Sequence, residues 1–356
     1  MIYSFSFFKS YVVTNRERGD ALMTASTEGY LLPPPEVAQN HVCVLTCGGA
    51  SNNVKQEWSL SDLKFYSSYI VNGQPKDRMF NGFVFNGLSV QEGRYLHPMF
   101  VGFGEPGNSL DWIKWIDLLF SPERNIKALY ALATHSILDI WISIPYPYLN
   151  QTNFGNINGK GLNFEIVDDR FTAVSWWIDQ FIERWQKEPI LSKRLNFRGF
   201  LWQRESILDY DEQLVKLTNT YIKEKGLHSM WLPYYGSSGC MKSQELGFDI
   251  VSMHPNFFGN TGFSSEWINH SAAFAKHYNT GLQIVYGKGI LYNDTHFYNY
   301  LAQGLTEHNN YMDQSFLVYQ FPNQTLEEIY NERLEDYIRL YTYIKGIYSS
   351  SLYPDI

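Results

Sequence analysis

From about residue 40 onward, short apolar runs alternate with longer amphipathic stretches. The runs 42–47, 80–85, 137–144, 197–203, 229–234, 248–253, 282–286 and 316–320 are rich in β-branched and aromatic residues, and each stops at Gly, Pro or a polar cluster, as strands do. Helical spacing predicts helices over 61–71, 111–120, 126–134, 171–186, 211–225, 243–246, 266–278, 295–308 and 326–344. In the fourth of these, Trp176, Trp177, Phe181 and Trp185 recur at close to the helical period and mark a packing face. Strands that alternate with helices pair in parallel through crossovers, and eight such units close a (β/α)8 TIM barrel over 41–346. Residues 1–40, which end in a Pro-rich stretch, are expected to form an N-terminal arm or lid, and 347–356 a C-terminal tail. No repeat of 20 to 50 residues points to a solenoid.

The composition supports a large core. Of 356 residues, 44% are hydrophobic and 18% charged, which argues against disorder. A formal net charge of −8 disfavours nucleic acid as a partner. No run reaches the roughly 18 apolar residues of a membrane helix, so a membrane partner is not expected, and the apolar first thirteen residues lack the basic start of a signal peptide. Cys43, Cys47 and Cys240 have neither disulfide-framework nor zinc spacing. Sequons begin at Asn150, Asn269, Asn293 and Asn323 but do not locate the protein. Oligomeric state is not legible.

A barrel carries its site at the C-terminal ends of its strands. Those ends supply Asn86, Tyr146, Gln203, Glu205, Tyr234, Tyr235, His254, Asn256, Tyr286 and Gln320, an aromatic and neutral-polar set with one carboxylate. Such a surface suits carbohydrate, whose C–H faces stack on rings while its hydroxyls pair with amides. Trp202 and Trp231 are further candidate platforms, and Gln283 a candidate hydrogen-bonding group.

Alternation along strand four puts Gly199, Leu201, Gln203 and Glu205 on one face, and Phe200, Trp202 and Arg204 on the other. A Glu205 carboxyl held away from water would stay protonated and serve as a general acid toward a glycosidic oxygen. Its structural alternatives are an ion pair with Arg204 or Arg198, or a helix cap. Glycoside hydrolysis ordinarily needs a second carboxylate. Strand seven has none, which leaves Asp209 and Asp211 after strand four, Glu266 after strand six and Asp294 after strand seven as outside candidates, Asp294 and Glu266 foremost, although each also suits a helix N-cap or first turn. No metal-ligand spacing, phosphate loop or nucleophilic-serine elbow is present, so neither a metal nor another cofactor is expected.

The phrases Met79-Phe-Asn-Gly-Phe-Val-Phe85, Ile142-Ser-Ile-Pro-Tyr-Pro147, Gly199-Phe-Leu-Trp-Gln-Arg-Glu-Ser206, Met230-Trp-Leu-Pro-Tyr-Tyr235, Glu245-Leu-Gly-Phe-Asp249 and His254-Pro-Asn256 occur in that order. Together they resemble the bacterial domain of unknown function 4855 family. The resemblance implies a glycoside-hydrolase-like barrel, often secreted or periplasmic and associated with carbohydrate use, and it aligns Glu205 with a family glutamate. It also exposes departures. Gln283 and Val285 stand where the family's strand seven has glutamates, Asn81 where it tends to have Asp, and His254 where it tends to have Gln. Two functions follow as expectations: a glycosidase with Glu205 as acid, or a catalytically degenerate carbohydrate-binding barrel. A purely structural barrel in an assembly is a third.

Overall fold

The computed structural model describes residues 29–32, 40–50, 55–134 and 136–350. Eight parallel strands close a barrel: β1 (His41–Cys47), β2 (Gly82–Gly87), β3 (Leu138–Ile144), β4 (Leu195–Trp202), β5 (His228–Trp231), β6 (Ile250–Met253), β7 (Gly281–Val285) and β8 (Leu317–Gln320). Each pairs with its neighbours in sequence, and β1 pairs with β8 to complete the ring. The predicted barrel is therefore the fold.

Two apolar layers follow from strand alternation. Val42, Val44, Val84, Trp141, Leu201, Met230, Leu232, Ile250, Phe316 and Val318 fill the barrel's interior. Residues of opposite parity, such as Leu45, Phe85, Ile142, Trp202 and Trp231, join the larger core between strands and helices. The register of β4 against β3 shifts between Phe197 and Gly199. Gly199 sits there at φ 152°, and a Cβ would meet the His228 carbonyl at 1.8 Å, so only glycine admits this approach of β4 to β5.

The helices that cover the ring are α1 (Leu60–Ser67), α2 (Ser109–Leu119), α3 (Asn125–Leu132), α4 (Val167–Gln186), α5 (Asp209–Glu224), α6 (Glu266–His277), α7 (His296–Leu305), α8 (Tyr311–Gln314), α9 (Leu326–Glu332) and α10 (Leu334–Ile344). Capping boxes start α1 at Ser59, α2 at Asn108 and α9 at Thr325. Three expectations need correction. The helix predicted over 61–71 stops at Ser67, because Asn72 and Gly73, both at positive φ, turn strand Ser68–Val71 back onto strand Gln74–Arg78. The stretch 243–246 is not a helix, and a three-residue 3-10 turn, Cys240–Lys242, precedes it instead. The last predicted helix divides at Arg333, whose φ of −142° is not helical.

Of the expected arm, residues 29–32 lie at the N-terminal ends of β7 and β8. Leu31 N–H donates to the Thr280 carbonyl at 3.1 Å, and the Leu31 carbonyl accepts from Phe316 N–H at 3.0 Å. That end is opposite the one where barrel sites form. Residues 1–28, 33–39 and 351–356 lie outside the described residues.

Candidate functional site

Beyond the β4 bulge, alternation sends Leu201 into the barrel and Trp202 outward. Gln203 follows Leu201 in parity and is buried at 5% exposure. Its amide Nε2 donates toward Asn86 Oδ1 at 3.1 Å, Ser143 Oγ at 3.0 Å and the Gly87 carbonyl. These contacts tie the ends of β2, β3 and β4 together. They leave Gln203 Oε1 buried with no hydrogen-bond partner among the described residues. The Gln203 backbone carbonyl lies 3.2 Å from His97 Nε2, and His97 Nδ1 accepts from Met99 N–H, so His97 is neutral with its proton on Nε2. Burial holds its pKa down at about 4.

Two residues after Gln203 comes Glu205. Neither structural alternative for it is realised. Arg198 pairs with Asp139 at 2.7 Å, Arg204 pairs with Asp211 at 3.0 Å, and the α5 N-cap position is Leu208 without a side-chain cap. Burial alone pushes the Glu205 carboxyl up to about 7, with no compensating cation or donor among the described residues to hold the charged form.

The β5 to β8 side is arranged differently. Gln283, at 1% exposure, donates its Nε2 hydrogens to the Ser252 carbonyl at 2.5 Å and the Pro233 carbonyl at 3.3 Å, and its Oε1 accepts from Gln320 Nε2 at 2.5 Å. Both ends of this amide are engaged inside the wall. His254 Nδ1 accepts from Asn256 N–H at 2.8 Å, which puts the imidazole proton on Nε2, and burial lowers its pKa to about 4. Tyr234 bridges to His254 through the backbone and stays half-buried, as does Asn256.

Several rings expected as platforms are packed instead. Trp202 is 3% exposed and belongs to the outer core. Trp231 is fully buried, stacks on Phe248 at 5.2 Å and donates Nε1–H to the Arg204 carbonyl at 2.8 Å. Tyr286 stacks on Phe297 at 4.4 Å with its hydroxyl on Asp336, and Tyr235 packs edge-on against Trp267 and Phe274. Tyr146 is buried, and its hydroxyl donates to Asp211 at 2.9 Å. These positions have the right place in sequence, but strand parity turns most of them toward the helices. Tyr234, of the inward parity, differs.

The two foremost second acids are exposed and held by partners of their own. Asp294 is 88% exposed and pairs with Arg333 at 2.5 Å. Glu266 is exposed in the first turn of α6 and accepts from Asn269 at 3.2 Å. Among the described residues, no group of three or more His, Cys, Asp or Glu side chains is placed to hold a metal ion, and no helix is long and apolar enough to cross a membrane.

Sequence reasoning passed over His97, and it read Asp211 only as an outside acid or helix-start residue, missing its buried pairing with Arg170 at 2.6 Å. His97 arrives from a long excursion that holds the small sheet of Ser89–Gln91, Arg94–Tyr95 and Glu105–Pro106, far in sequence from Gln203. No spacing rule connects such residues. Asp211 does have a signal, since an acid in the first turn of a predicted helix is worth testing for a cation on the preceding strand.

The family described as "Domain of unknown function (DUF4855)" matches residues 42–345. Among curated proteins, none matches the sequence. Among solved structures, the fold is similar to a GH113 beta-1,4-mannanase, at 11% identity over 86% of this chain and 99% of that one, with a TM-score of 0.44. It is also similar to a GH18 chitinase from Pseudoalteromonas aurantia, at 10% identity over 86% and 98% of the two chains, with a TM-score of 0.39. A Group II chitinase catalytic domain from Ostrinia furnacalis aligns at 11% identity over 69% and 63%, with a TM-score of 0.33. Likenesses this distant leave the chemistry to be read from the residues.

Proposed function

This chain belongs to the DUF4855 family, and we propose that it is a carbohydrate-active (β/α)8 barrel in which Glu205 is the proton donor to a glycosidic oxygen. The observation that carries this reading is the Glu205 carboxyl, which lacks an ion-pair partner among the described residues and is pushed up to about 7 by burial. A carboxyl in that range holds its proton near neutral pH and releases it to a developing alkoxide. At the C-terminal ends of the same ring of strands, Asn86, Gln203, His254 and Gln320 are neutral groups, and their amides and imidazole are held in fixed orientations by the hydrogen bonds above. Orientation-locked neutral donors and acceptors suit the hydroxyls of an uncharged sugar ring. Tyr234 and Asn256 extend this set at the ends of β5 and β6.

Attack of water on the anomeric carbon needs a base. Asp294 takes that part only on leaving Arg333, and Glu266 only by moving in from the exposed start of α6. The second reading, a binder that does not turn over its ligand, is favoured by one observation: the amide of Gln283, on β7, has both ends engaged.

Incubation of the chain with plant, bacterial and animal polysaccharides, followed by both affinity and release of reducing ends, separates the two. The proposal expects product release that Glu205→Gln abolishes. Binding without any product from the parent chain moves the assignment to the binder, and absence of both withdraws the carbohydrate reading.

A further inference from the structure

Two guanidinium groups converge on one buried carboxylate beside the end of β4. Arg170 and Asp211 are fully buried and meet at 2.6 Å, so this pair is neutral by itself. Arg204 adds a second positive charge, with its Nη1 reaching Asp211 Oδ2 at 3.0 Å, the Tyr146 hydroxyl at 2.6 Å and the Tyr210 hydroxyl at 2.7 Å. Two positive charges therefore share one negative charge, and among the described residues no second carboxylate bonds to the cluster. A largely buried excess charge costs stability unless something answers it.

The geometry of Arg204 indicates what the counter-charge is. All three of its hydrogen bonds use Nη1, while Nε and Nη2 make none among the described residues. Its side chain is 22% exposed, so that edge is not sealed in the core. The guanidinium lies 5.3 Å from the Tyr146 ring centre and 5.4 Å from that of Tyr210, which fixes its plane. Tyr210, which it contacts, is 40% exposed, and Tyr148, edge-on to Tyr146 at 6.3 Å, is 36% exposed, so both leave ring surface open. A fixed Nε and Nη2 edge presents two parallel N–H donors, the arrangement that receives a carboxylate through both of its oxygens.

We propose that Arg204 is an anion-recognition residue at the rim of the barrel mouth, taking the carboxylate of a uronic-acid unit in the carbohydrate, with Tyr148 and Tyr210 flanking the sugar. This inference rests on the carbohydrate reading of the same barrel and adds an acidic substituent to it. The Arg170–Asp211 pair is the support that holds Tyr146 and, through it, the guanidinium plane.

The test pairs each of several acidic oligosaccharides (oligogalacturonate, oligomannuronate and glucuronic-acid-bearing xylan fragments) with its carboxyl-reduced form, which keeps the linkage and removes the charge. Calorimetric titration of the full chain should show at least one acidic form binding tenfold or more tighter than its reduced partner, with the gap narrowing at high salt. Arg204→Gln should close the gap, because the Arg170–Asp211 pair it leaves is neutral. Arg204→Lys should restore part of it by keeping the charge without the fork. Thermal unfolding of both variants checks that they fold. If the glutamine variant does not fold, the comparison of acidic and reduced forms on the parent chain and on Arg204→Lys decides alone. Equal affinity for acidic and reduced forms overturns this inference and leaves the carbohydrate reading standing. Binding of neither form, together with silence in the polysaccharide screen, overturns both.

Discussion

The ends of β4 and β7 open on the same barrel mouth, three strands apart, and they treat their polar side chains in opposite ways. At β7 the Gln283 amide is consumed: both Nε2 hydrogens and Oε1 are engaged by Ser252, Pro233 and Gln320. At β4 the polar groups are left wanting, with Gln203 Oε1 unbonded and the Glu205 carboxyl without a cation among the described residues. A protein that merely needed polar residues at a strand end would satisfy them, as β7 does, since an unmet buried atom such as Gln203 Oε1 costs about 1–3 kcal/mol, and the half-buried Glu205 carboxyl two residues on has its charged form disfavoured by desolvation. The contrast locates unspent hydrogen-bonding and protonic capacity on the β4 side, and that asymmetry is what the proposed function uses.

The contrast breaks most visibly at Glu205. Glu205→Gln keeps shape and removes the proton, so the rate of glycan cleavage should fall by about 10²–10⁴-fold with the fold intact. Progress curves of reducing-end release measure this, and a fall below threefold would return Glu205 to a structural role. Next in size is the support beneath that strand end. Asp211→Asn leaves Arg170 and Arg204 facing each other without a counter-charge and should cost about 3–5 kcal/mol in urea denaturation. A loss under 1 kcal/mol would mean that water already reaches this cluster.

On the β7 side, Gln283→Glu places an acceptor-only group against two carbonyl oxygens. It should destabilise by about 2–4 kcal/mol if it ionises, and less below pH 5, where a protonated acid can donate one of the two bonds. Recovery of higher glycan turnover in this variant would show that the closed state of β7 is what limits chemistry. A smaller effect reads the Glu205 carboxyl through the pH dependence of stability. Because the folded pKa of Glu205 is about 7, above its value in the unfolded chain, the folded state holds a proton that the unfolded state has lost between about pH 4.5 and 7. Stability attributable to this group therefore falls as pH rises through that window and is level above it. His97 and His254, held neutral down to about pH 4, slope the other way as pH falls. The difference between the parent chain and Glu205→Gln isolates the carboxyl: equal stability near pH 4, and the variant more stable by up to about 3 kcal/mol at pH 8.

Much of the barrel was legible because parallel strands buried on both faces read as short apolar runs, and all eight expected runs overlap a barrel strand. Local chemistry hid the exceptions. An Asn72-Gly73 turn at the end of an apolar stretch made a hairpin of what the spacing read as the last turn of a helix. At the site, the parity of Leu201 and Gln203 was readable, while the ring orientations of Trp231 and Tyr286 were lost, because proximity to a strand end says nothing of which side of the wall a residue faces. The least legible features were the hydrogen bonds themselves. Gln203 meets Asn86 and Ser143 from 117 and 60 residues away, and no one-dimensional pattern records that the same bonds leave its other atom free.

The central claim concerns one proton, and it can be observed without a substrate. Isotope-edited infrared or carbon NMR titration of the side-chain carboxyls, with Glu205→Gln identifying the signal, should show a group that titrates near pH 7. A Glu205 carboxyl that ionises near pH 4.5, as in an open peptide, would contradict the account.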